Sequence, residues 1–153
     1  MKLNKLIAVL TLAITAGVAN ADTKYIHKWS VDGSAGWRTD INVANVCQNT
    51  SVDVEIQLWK SNGTQLANKQ ISSGYATDSE GKIAFTLAPH ESKDVNFAFT
   101  HFSSFTTGNG KVTTTTSNPD AACLVGGYQY HTTVGGNNYG HALSYQFNNG
   151  EKF

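Results

Sequence analysis

The chain has 153 residues, only 14% of them charged, and its eleven Lys and Arg residues balance its eleven Asp and Glu residues. The charges are scattered without a basic cluster. This argues against nucleic-acid binding and against attachment to anionic lipid, since both depend on concentrated positive charge. The length fits a single domain with one hydrophobic core.

The first 21 residues have the pattern of a secretory signal peptide. Two lysines precede the apolar run Leu6–Val18, and Ala19–Ala21 has the small-residue pattern that signal peptidase cuts. The run is shorter than the roughly 20 residues that span a bilayer, so no membrane anchor is expected after cleavage. The sequence therefore predicts a bacterial protein that is cleaved after Ala21 and is secreted or periplasmic, with one domain over residues 22–153.

Cys47 and Cys123 are the two cysteines of the chain. In an oxidising compartment an even pair most simply forms a disulfide. Closing so long a loop stabilises the folded state by roughly 4 kcal/mol in the chain-entropy model. Neither cysteine lies in a C-x-x-C pair or beside a histidine, which argues against metal binding and nucleophilic catalysis. We therefore predict one disulfide.

Alternating apolar and polar residues, the pattern of half-buried strands, run through the chain after the leader. In Val52–Lys60 the valines, isoleucine and leucine share one face, and the charged and amide residues share the other. Asn62 and Gly63 favour a tight hairpin turn into a further strand. The strands predicted in this half are Tyr25–Val31, Trp37–Val46, Val52–Lys60 and Thr64–Ile71.

The second half of the chain has the same alternation. Lys111–Ser117 is rich in threonine and more polar than the other strands, which favours an edge or exposed position. Pro89 and Pro119 fall between strands, where proline breaks no ladder hydrogen bond. The strands predicted here are Lys82–Leu87, Lys93–Thr100, Lys111–Ser117, Cys123–Val134 and Gly140–Asn148.

About eight or nine strands without a helical stripe predict an all-β fold, an antiparallel β-sandwich with one disulfide. Trp37–Val46 and Val52–Trp59, followed by the Asn-Gly turn, resemble the opening strands of bacterial exported immunoglobulin-like modules. Cys47, Trp59 and Cys123 loosely match the Cys, Trp, Cys order of immunoglobulin domains. The resemblance implies an immunoglobulin-like sandwich and transfers no functional residue.

The sequence contains no catalytic or metal-binding signature. No G-x-S-x-G motif accompanies the five histidines, and the acidic residues form no recognisable pair for glycoside hydrolysis. Neither H-x-H nor H-E-x-x-H occurs, and strand register directs His131 and His141 to opposite faces. Asp78 and Glu80 have the oxygens that Ca²⁺ prefers, but a polar loop tip turned by Gly81 is the plainer interpretation. We expect no enzyme, no metal and no cofactor.

Aromatic residues carry the functional hypothesis. Most lie on apolar strand faces and are predicted core residues: Trp37, Phe85, Phe97, Phe99, Tyr145 and Phe147. Four depart from those faces and are the candidate ligand-binding residues: Trp59, Tyr75, Tyr139 and Phe102. Trp59 lies on a polar strand face, and Tyr75 and Tyr139 lie in loops of small and polar residues. Phe102 is out of register with its strand. Exposed rings beside amides and carboxylates suit sugar stacking or a protein contact, although Trp59 packed under a loop is the other interpretation.

The sequence thus predicts a secreted, non-catalytic binding or adhesion module that recognises a glycan or a protein partner through loop aromatics. A self-associating subunit of a matrix or filament is the alternative, because Thr-rich strands such as Val112–Ser117 leave an edge open to a neighbour. A small outer-membrane barrel is a third hypothesis, since Phe153 and the alternating Tyr145 and Phe147 resemble a terminal barrel strand. Its strands are short for that role. An enzyme with a site assembled from loops is a fourth.

Overall fold

A computed structural model describes residues 20–33, 37–66, 71–72, 82–97, 102–116, 122–134, 138–139 and 143–153. Over these ranges the chain forms ten strands and no α-helix, so the all-β prediction is confirmed. The strands are β1 (Asn20–Val31), β2 (Trp37–Asn45), β3 (Val52–Lys60), β4 (Ile71–Ser72), β5 (Ile83–Leu87), β6 (Ser92–Phe97), β7 (Thr106–Thr116), β8 (Leu124–Val134), β9 (Asn138–Tyr139) and β10 (Leu143–Gln146). The predicted signal peptide lies almost wholly outside the described residues and stays a prediction.

The strands form two antiparallel sheets. Sheet A has the order β1-β7-β3-β5, and sheet B has the order β10-β8-β2-β6-β4, with β9 also pairing with β8. Strand β1 is therefore one edge of sheet A, and β10 is one edge of sheet B. Because β1 packs against β2 and β8 of sheet B, these two edges lie on the same side of the molecule.

The core lies between the sheets and is built by the inward-facing half of each alternating strand. Val52, Val54, Ile56 and Leu58 of β3 are all buried, as their alternation predicts. Among the described residues, Trp29 is the largest fully buried side chain; its ring centroid lies 4.9 Å from that of Phe97 in sheet B. Its indole N–H donates to the backbone oxygen of Asn109 at 2.9 Å, so the polar end of the ring is satisfied inside the core.

Strand β7 lies in the middle of sheet A, so the prediction of an edge or exposed strand at Lys111–Ser117 is wrong. It pairs with β1 on one side and β3 on the other, and its inward positions are buried. A side chain at Gly108 would collide with the Trp29 ring and the Trp59 backbone oxygen, so glycine is required there. Threonine fits the pleated interior of a sheet as well as its edge. Composition alone therefore misplaced this strand.

The Cys47–Cys123 disulfide is present, which confirms its prediction, with 5.2 Å between the two Cα atoms. Cys47 follows β2 and Cys123 precedes β8, and these strands are neighbours in sheet B. The bond thus joins adjacent strand ends within one sheet, whereas the immunoglobulin disulfide connects the two sheets.

Buried Asn45 fixes the same end of sheet B. Its side-chain nitrogen donates to the backbone oxygens of Thr50 at 2.7 Å and of Leu87 and Ala88 at 3.1 Å. Its side-chain oxygen accepts the backbone N–H of Cys47 at 3.0 Å. One amide therefore hydrogen-bonds to backbone groups of the segment after β2 and of the end of β5.

The hairpin turn predicted after β3 is confirmed. Gly63 has a φ of +82°, a left-handed conformation that suits glycine. The N–H of Lys60 donates to the oxygen of Thr64 at 2.8 Å, and the N–H of Leu66 donates to the oxygen of Leu58 at 3.0 Å. The returning segment is described only as far as Leu66, and again at β4.

Candidate functional site: an aromatic groove between two sheet edges

A groove opens where both sheets end, between β1 of sheet A and β10 of sheet B. Its volume is about 700 Å³, inside the range of roughly 300–1,000 Å³ that ligand sites occupy. Five lining residues are apolar or aromatic: Phe105, Tyr128, Tyr130, Leu143 and Tyr145. Four come from β1 and the residue after it: His27, Lys28, Ser30 and Asp32. We call this site the tyrosine groove.

The apolar wall of the groove exists because sheet B extends past sheet A. In the ladder between β8 and β10, Tyr128 lies opposite Tyr145 and Tyr130 lies opposite Leu143, so all four side chains share the inner face. Sheet A ends at β1 and does not cover β10. Leu143 is therefore 60% exposed and Tyr145 47% exposed. The prediction that Tyr145 is a core residue is wrong for this reason.

Three tyrosine rings hold one another in place in the groove. The rings of Tyr128 and Tyr145 are stacked, with centroids 5.1 Å apart and planes at 14°. Tyr130 meets Tyr145 at 84° with a centroid distance of 5.8 Å, and meets Tyr128 at 87°. Such pairs contribute about 0.5–1.5 kcal/mol each beyond the burial of their surface. Tyr145 is thus a fixed ring with nearly half of its surface open to solvent.

The opposite wall of the groove is shaped by a β-bulge in β1. The register against β7 shifts between Ile26 and Trp29, so that His27 and Lys28 face the single residue Asn109. A bulge bends its strand and disrupts the local ladder, leaving backbone groups to find other partners. Both bulge residues line the groove.

The groove tyrosines supply the partners that the bulge requires. The hydroxyl of Tyr130 donates to the backbone oxygen of Lys28, and the hydroxyl of Tyr128 is hydrogen-bonded to the backbone of His27. Burial raises the pKa of both tyrosine hydroxyls above their ordinary value, and neighbouring tyrosines raise it further. Both hydroxyls therefore stay protonated at neutral pH and tie the two sheets together, rather than acting as acids or nucleophiles.

Other side chains close the free edge of β1 above and below the bulge. The N–H of Ser30 donates to the hydroxyl of fully buried Thr39 at 2.9 Å, and that hydroxyl donates to the Ser30 oxygen at 3.0 Å. Near the start of the strand, the N–H of Thr23 donates to the carboxylate of Asp22 at 2.7 Å. The edge strand is thus occupied at several points by the protein's own side chains.

The groove continues beyond Tyr145 into a second lobe with a volume of about 370 Å³. The two lobes share His27, Tyr128 and Tyr145. The residues that line the second lobe include Asn148 and Asn149, together with Gln146, whose side chain lies at an outward strand position beside Gly150. We call it the amide lobe. The site is therefore elongated, with Tyr145 between an apolar end and an end rich in hydrogen-bonding groups.

The two asparagines of the amide lobe lie on a tight turn. Asn148 and Asn149 have φ values of +48° and +54°, and Gly150 has +84°. The N–H of Glu151 donates to the oxygen of Asn148 at 3.0 Å. Left-handed residues at both central positions are typical of a type I′ turn, and asparagine and glycine tolerate them best. The turn holds both amides at the end of the groove.

Of the four aromatic candidates from the sequence, Phe102 and Trp59 do not line the groove. Phe102 is only 4% exposed and meets Phe97 edge-on in the core, so the expectation of an exposed ring is wrong. It lies beyond the end of β6, where strand alternation no longer determines its direction. Trp59 is half-buried at the end of β3, beside its bridge to Gln65. Tyr139 lies in β9, and Tyr75 lies outside the described residues.

Sequence reasoning missed the groove residues because it assigned inward-facing tyrosines to the core. A usable signal was present in the spacing of Tyr128, Tyr130 and Tyr145. Tyrosine at inward positions of two consecutive strands indicates a site where the ring packs against apolar residues and the hydroxyl meets water or a polar partner. Leu143 and Phe105 carry no such mark, since only the extent of the opposing sheet makes them exposed.

A second polar cluster lies on the outer face of sheet B. One carboxylate oxygen of Asp40 lies 3.1 Å from Arg38 Nε and 3.1 Å from His131 Nε2. In the part of the chain that the structure describes, no group of three His, Cys, Asp or Glu side chains is arranged to hold a metal ion. Asp78, Glu80 and His141 lie outside that part, so neither the calcium alternative nor the pairing of His131 with His141 is tested.

Comparison with known proteins gives no match, whether to a family model, a curated protein or a solved structure. Among the described residues, no helix has the length and apolar character needed to cross a membrane. Function is accordingly inferred from the groove itself.

Proposed function

We propose that this protein is a secreted, non-catalytic binding module whose ligand occupies the tyrosine groove. One observation carries the proposal: Leu143, Tyr145 and Phe105, the last 53% exposed, surround a single concave site. Singly exposed apolar side chains are ordinary on protein surfaces. Several around one groove with polar groups at its margin are typical of a ligand site.

The fixed geometry of the groove supports a binding role. Tyr128 and Tyr130 are held by hydrogen bonds to β1, and Tyr145 is held by both rings. Side chains that are already ordered lose little conformational freedom when a ligand arrives, so less of the interaction energy is spent on ordering. The protonated, engaged hydroxyls support a non-catalytic role, because neither is available as a base or nucleophile.

The expected location outside the cytoplasm has two supports. The leader has the composition and cleavage pattern of a signal peptide, and the Cys47–Cys123 bond is of a kind that persists in oxidising compartments. We infer a secreted or periplasmic protein on these grounds.

We also infer that the two sheets form an immunoglobulin-like sandwich with altered edges. The pairing of β2 with β6 and of β3 with β7 supports this, since it corresponds to the B–E and C–F pairs of that fold. The difference is that β8 joins β2 instead of β7, which is why the disulfide lies within sheet B.

The alternative of a self-assembling subunit has weaker support. Strand β7, whose threonines suggested an open edge, is central in sheet A. The edge strand β1 is blocked by hydroxyls from sheet B at its bulge and at Ser30. Edge strands protected in this way resist pairing with a neighbouring copy.

The proposal is tested with arrays of glycans and of extracellular proteins, probed with the protein purified after secretory expression. We expect Tyr145→Ala to lose at least about tenfold in affinity for whatever the wild type binds, because a central aromatic contact is worth more than about 1.4 kcal/mol. Val46→Ala is the matched control, since Val46 is also an exposed apolar residue but does not line the groove. Equal binding by Tyr145→Ala and wild type, at equal melting temperatures, would place the ligand elsewhere and overturn the proposal.

A further inference from the structure

We infer that the ligand of the tyrosine groove is a neutral glycan chain that lies along both lobes, with one sugar ring stacked on Tyr145. This inference rests on the proposed function and names its class of ligand.

The state of the β1 edge disfavours an extended peptide that pairs with that strand. Peptides that bind a sheet edge add a strand and need free backbone groups to pair with. Along the groove, the Lys28 oxygen is bonded to Tyr130, and both backbone groups of Ser30 are bonded to Thr39. A peptide has to displace these hydroxyls from buried or half-buried positions, and each then loses its partner.

The charges around the groove favour a neutral ligand. In the larger lobe the positive charge of Lys28 is balanced by the negative charge of Asp32, because both residues line that lobe. In the amide lobe, Lys24 is paired with Asp22 at 3.0 Å. Apart from His27, the described lining therefore presents balanced charge, which attracts neither polyanions nor polycations.

The chemistry of the lining matches the two kinds of surface that a sugar ring presents. The C–H face of a pyranose is apolar and packs flat against an exposed aromatic ring such as Tyr145. Its hydroxyls both donate and accept hydrogen bonds, as does the side chain of Asn149. The Asn148 amide is fixed by donating to the Lys152 oxygen at 3.2 Å. A purely apolar ligand gains nothing from these amides.

The form of the groove indicates a chain of sugars rather than a single one. The lobes of about 700 and 370 Å³ share Tyr145 in the middle. A ring stacked there has neighbours on both sides, one beside Leu143 and the other beside the amides. Affinity is therefore expected to rise with chain length until both lobes are filled.

The experiment measures binding of the secreted protein to three sets of probes by titration calorimetry. The probes are neutral hexose and N-acetylhexosamine oligosaccharides of increasing length, uronic-acid oligosaccharides, and extended neutral peptides. We expect neutral oligosaccharides to bind, with affinity rising with length, and Tyr145→Ala to weaken all of them at least tenfold. Uronic-acid chains and peptides are expected to bind at least tenfold more weakly.

Asn149→Gly tests the amide lobe, because glycine keeps the left-handed turn and removes the amide. We expect about a fivefold loss of affinity for long chains, equivalent to one neutral hydrogen bond, and no change for the shortest bound chain. Asn62→Gly is the matched control, an asparagine in another exposed turn. Equal affinity of Asn149→Gly and wild type for every chain length would remove the amide lobe from the site.

The remaining outcomes separate the inference from the proposed function. Peptides or uronic-acid chains that bind more tightly than neutral glycans, and lose binding in Tyr145→Ala, overturn the glycan inference and leave the groove as the binding site. Binding of any probe that Tyr145→Ala does not change overturns both. No binding of any probe in all three sets overturns the glycan inference alone, because the proposed function is tested separately by the protein arrays.

Discussion

Asp40 is a buried carboxyl on the face of sheet B that points away from the core. One of its oxygens meets Arg38 and His131, and the other has no hydrogen-bond partner among the described residues. Burial raises the pKa of Asp40 above its ordinary value of 3.8, and the two basic neighbours lower it only in part. The folded state therefore holds this proton more tightly than the unfolded chain does.

We predict that Asp40→Asn removes a pH-dependent loss of stability. Because the folded pKa of Asp40 is raised, wild type loses stability as pH rises from about 3.8 through that folded value. The free energy of unfolding of wild type minus that of Asp40→Asn should thus fall across this window. Urea denaturation at a series of pH values measures it, with exposed Asp53→Asn as the control. A difference that grows with pH would mean that the ion pairs with Arg38 and His131 outweigh burial.

Tyr145 and Phe147 show what alternation leaves undetermined about single side chains. Both lie at inward positions of one short segment, and the sequence assigns both to the core. Phe147 is buried, with the Phe153 ring packed against it at 5.9 Å, whereas Tyr145 lies under no strand of sheet A. The sheet face toward which a side chain points follows from its own strand. Whether the side chain is buried there depends on packing against residues far away in the chain.

Strand β1 shows how an edge strand is closed without a further strand. The hydroxyls of Tyr128 and Tyr130 bond to backbone groups of its bulge, and the hydroxyl of Thr39 bonds to Ser30 beyond the bulge. The same contacts connect the two sheets and hold the groove rings. One set of hydrogen bonds therefore protects the edge and fixes the site.

We predict that Tyr130→Phe destabilises the protein by about 1–2 kcal/mol, because the Lys28 oxygen loses its partner while the ring remains. The change should also increase association at high concentration, since the β1 edge is partly opened. Tyr25→Phe is the matched control: Tyr25 lies on the same strand and is 66% exposed, so its hydroxyl is in water. Chemical denaturation and light scattering measure the two effects. Equal behaviour of both variants would show that the hydroxyl bond does not support the edge.

Strand positions were predictable, and strand neighbours were not. The predicted Val52–Lys60 has the bounds of β3, and Trp37–Val46 differs from β2 by one residue, because alternation is local. The edge position predicted for Lys111–Ser117 is wrong, since β7 pairs with strands some eighty and fifty residues earlier in the chain. The order of strands, and with it the groove, depends on those distant pairings.

The groove is a consequence of two unequal sheets. Sheet A stops at β1 while sheet B continues from β8 to β10, so the inner face of the last strand is left uncovered. The turn after β10 then returns the chain, and Phe153 exchanges hydrogen bonds with Leu124 at 2.8 and 2.9 Å. The candidate ligand site therefore belongs to the architecture of the whole domain, and no short motif encodes it.

Removing the disulfide tests how far this architecture depends on its one covalent cross-link. The two cysteines are 76 positions apart in the chain. For the double variant Cys47→Ser, Cys123→Ser, the chain-entropy model predicts that the free energy of unfolding falls by about 4 kcal/mol. Domains of this size have total stabilities of about 5–15 kcal/mol, so the variant should still fold but unfold at a lower urea concentration. Because neither cysteine lines the groove, its ligand affinity below the unfolding transition should equal that of wild type. Circular dichroism in urea, with reduced wild type as the comparison, measures the stability. A loss of binding by a variant that is still folded would show that the cross-link also positions the groove.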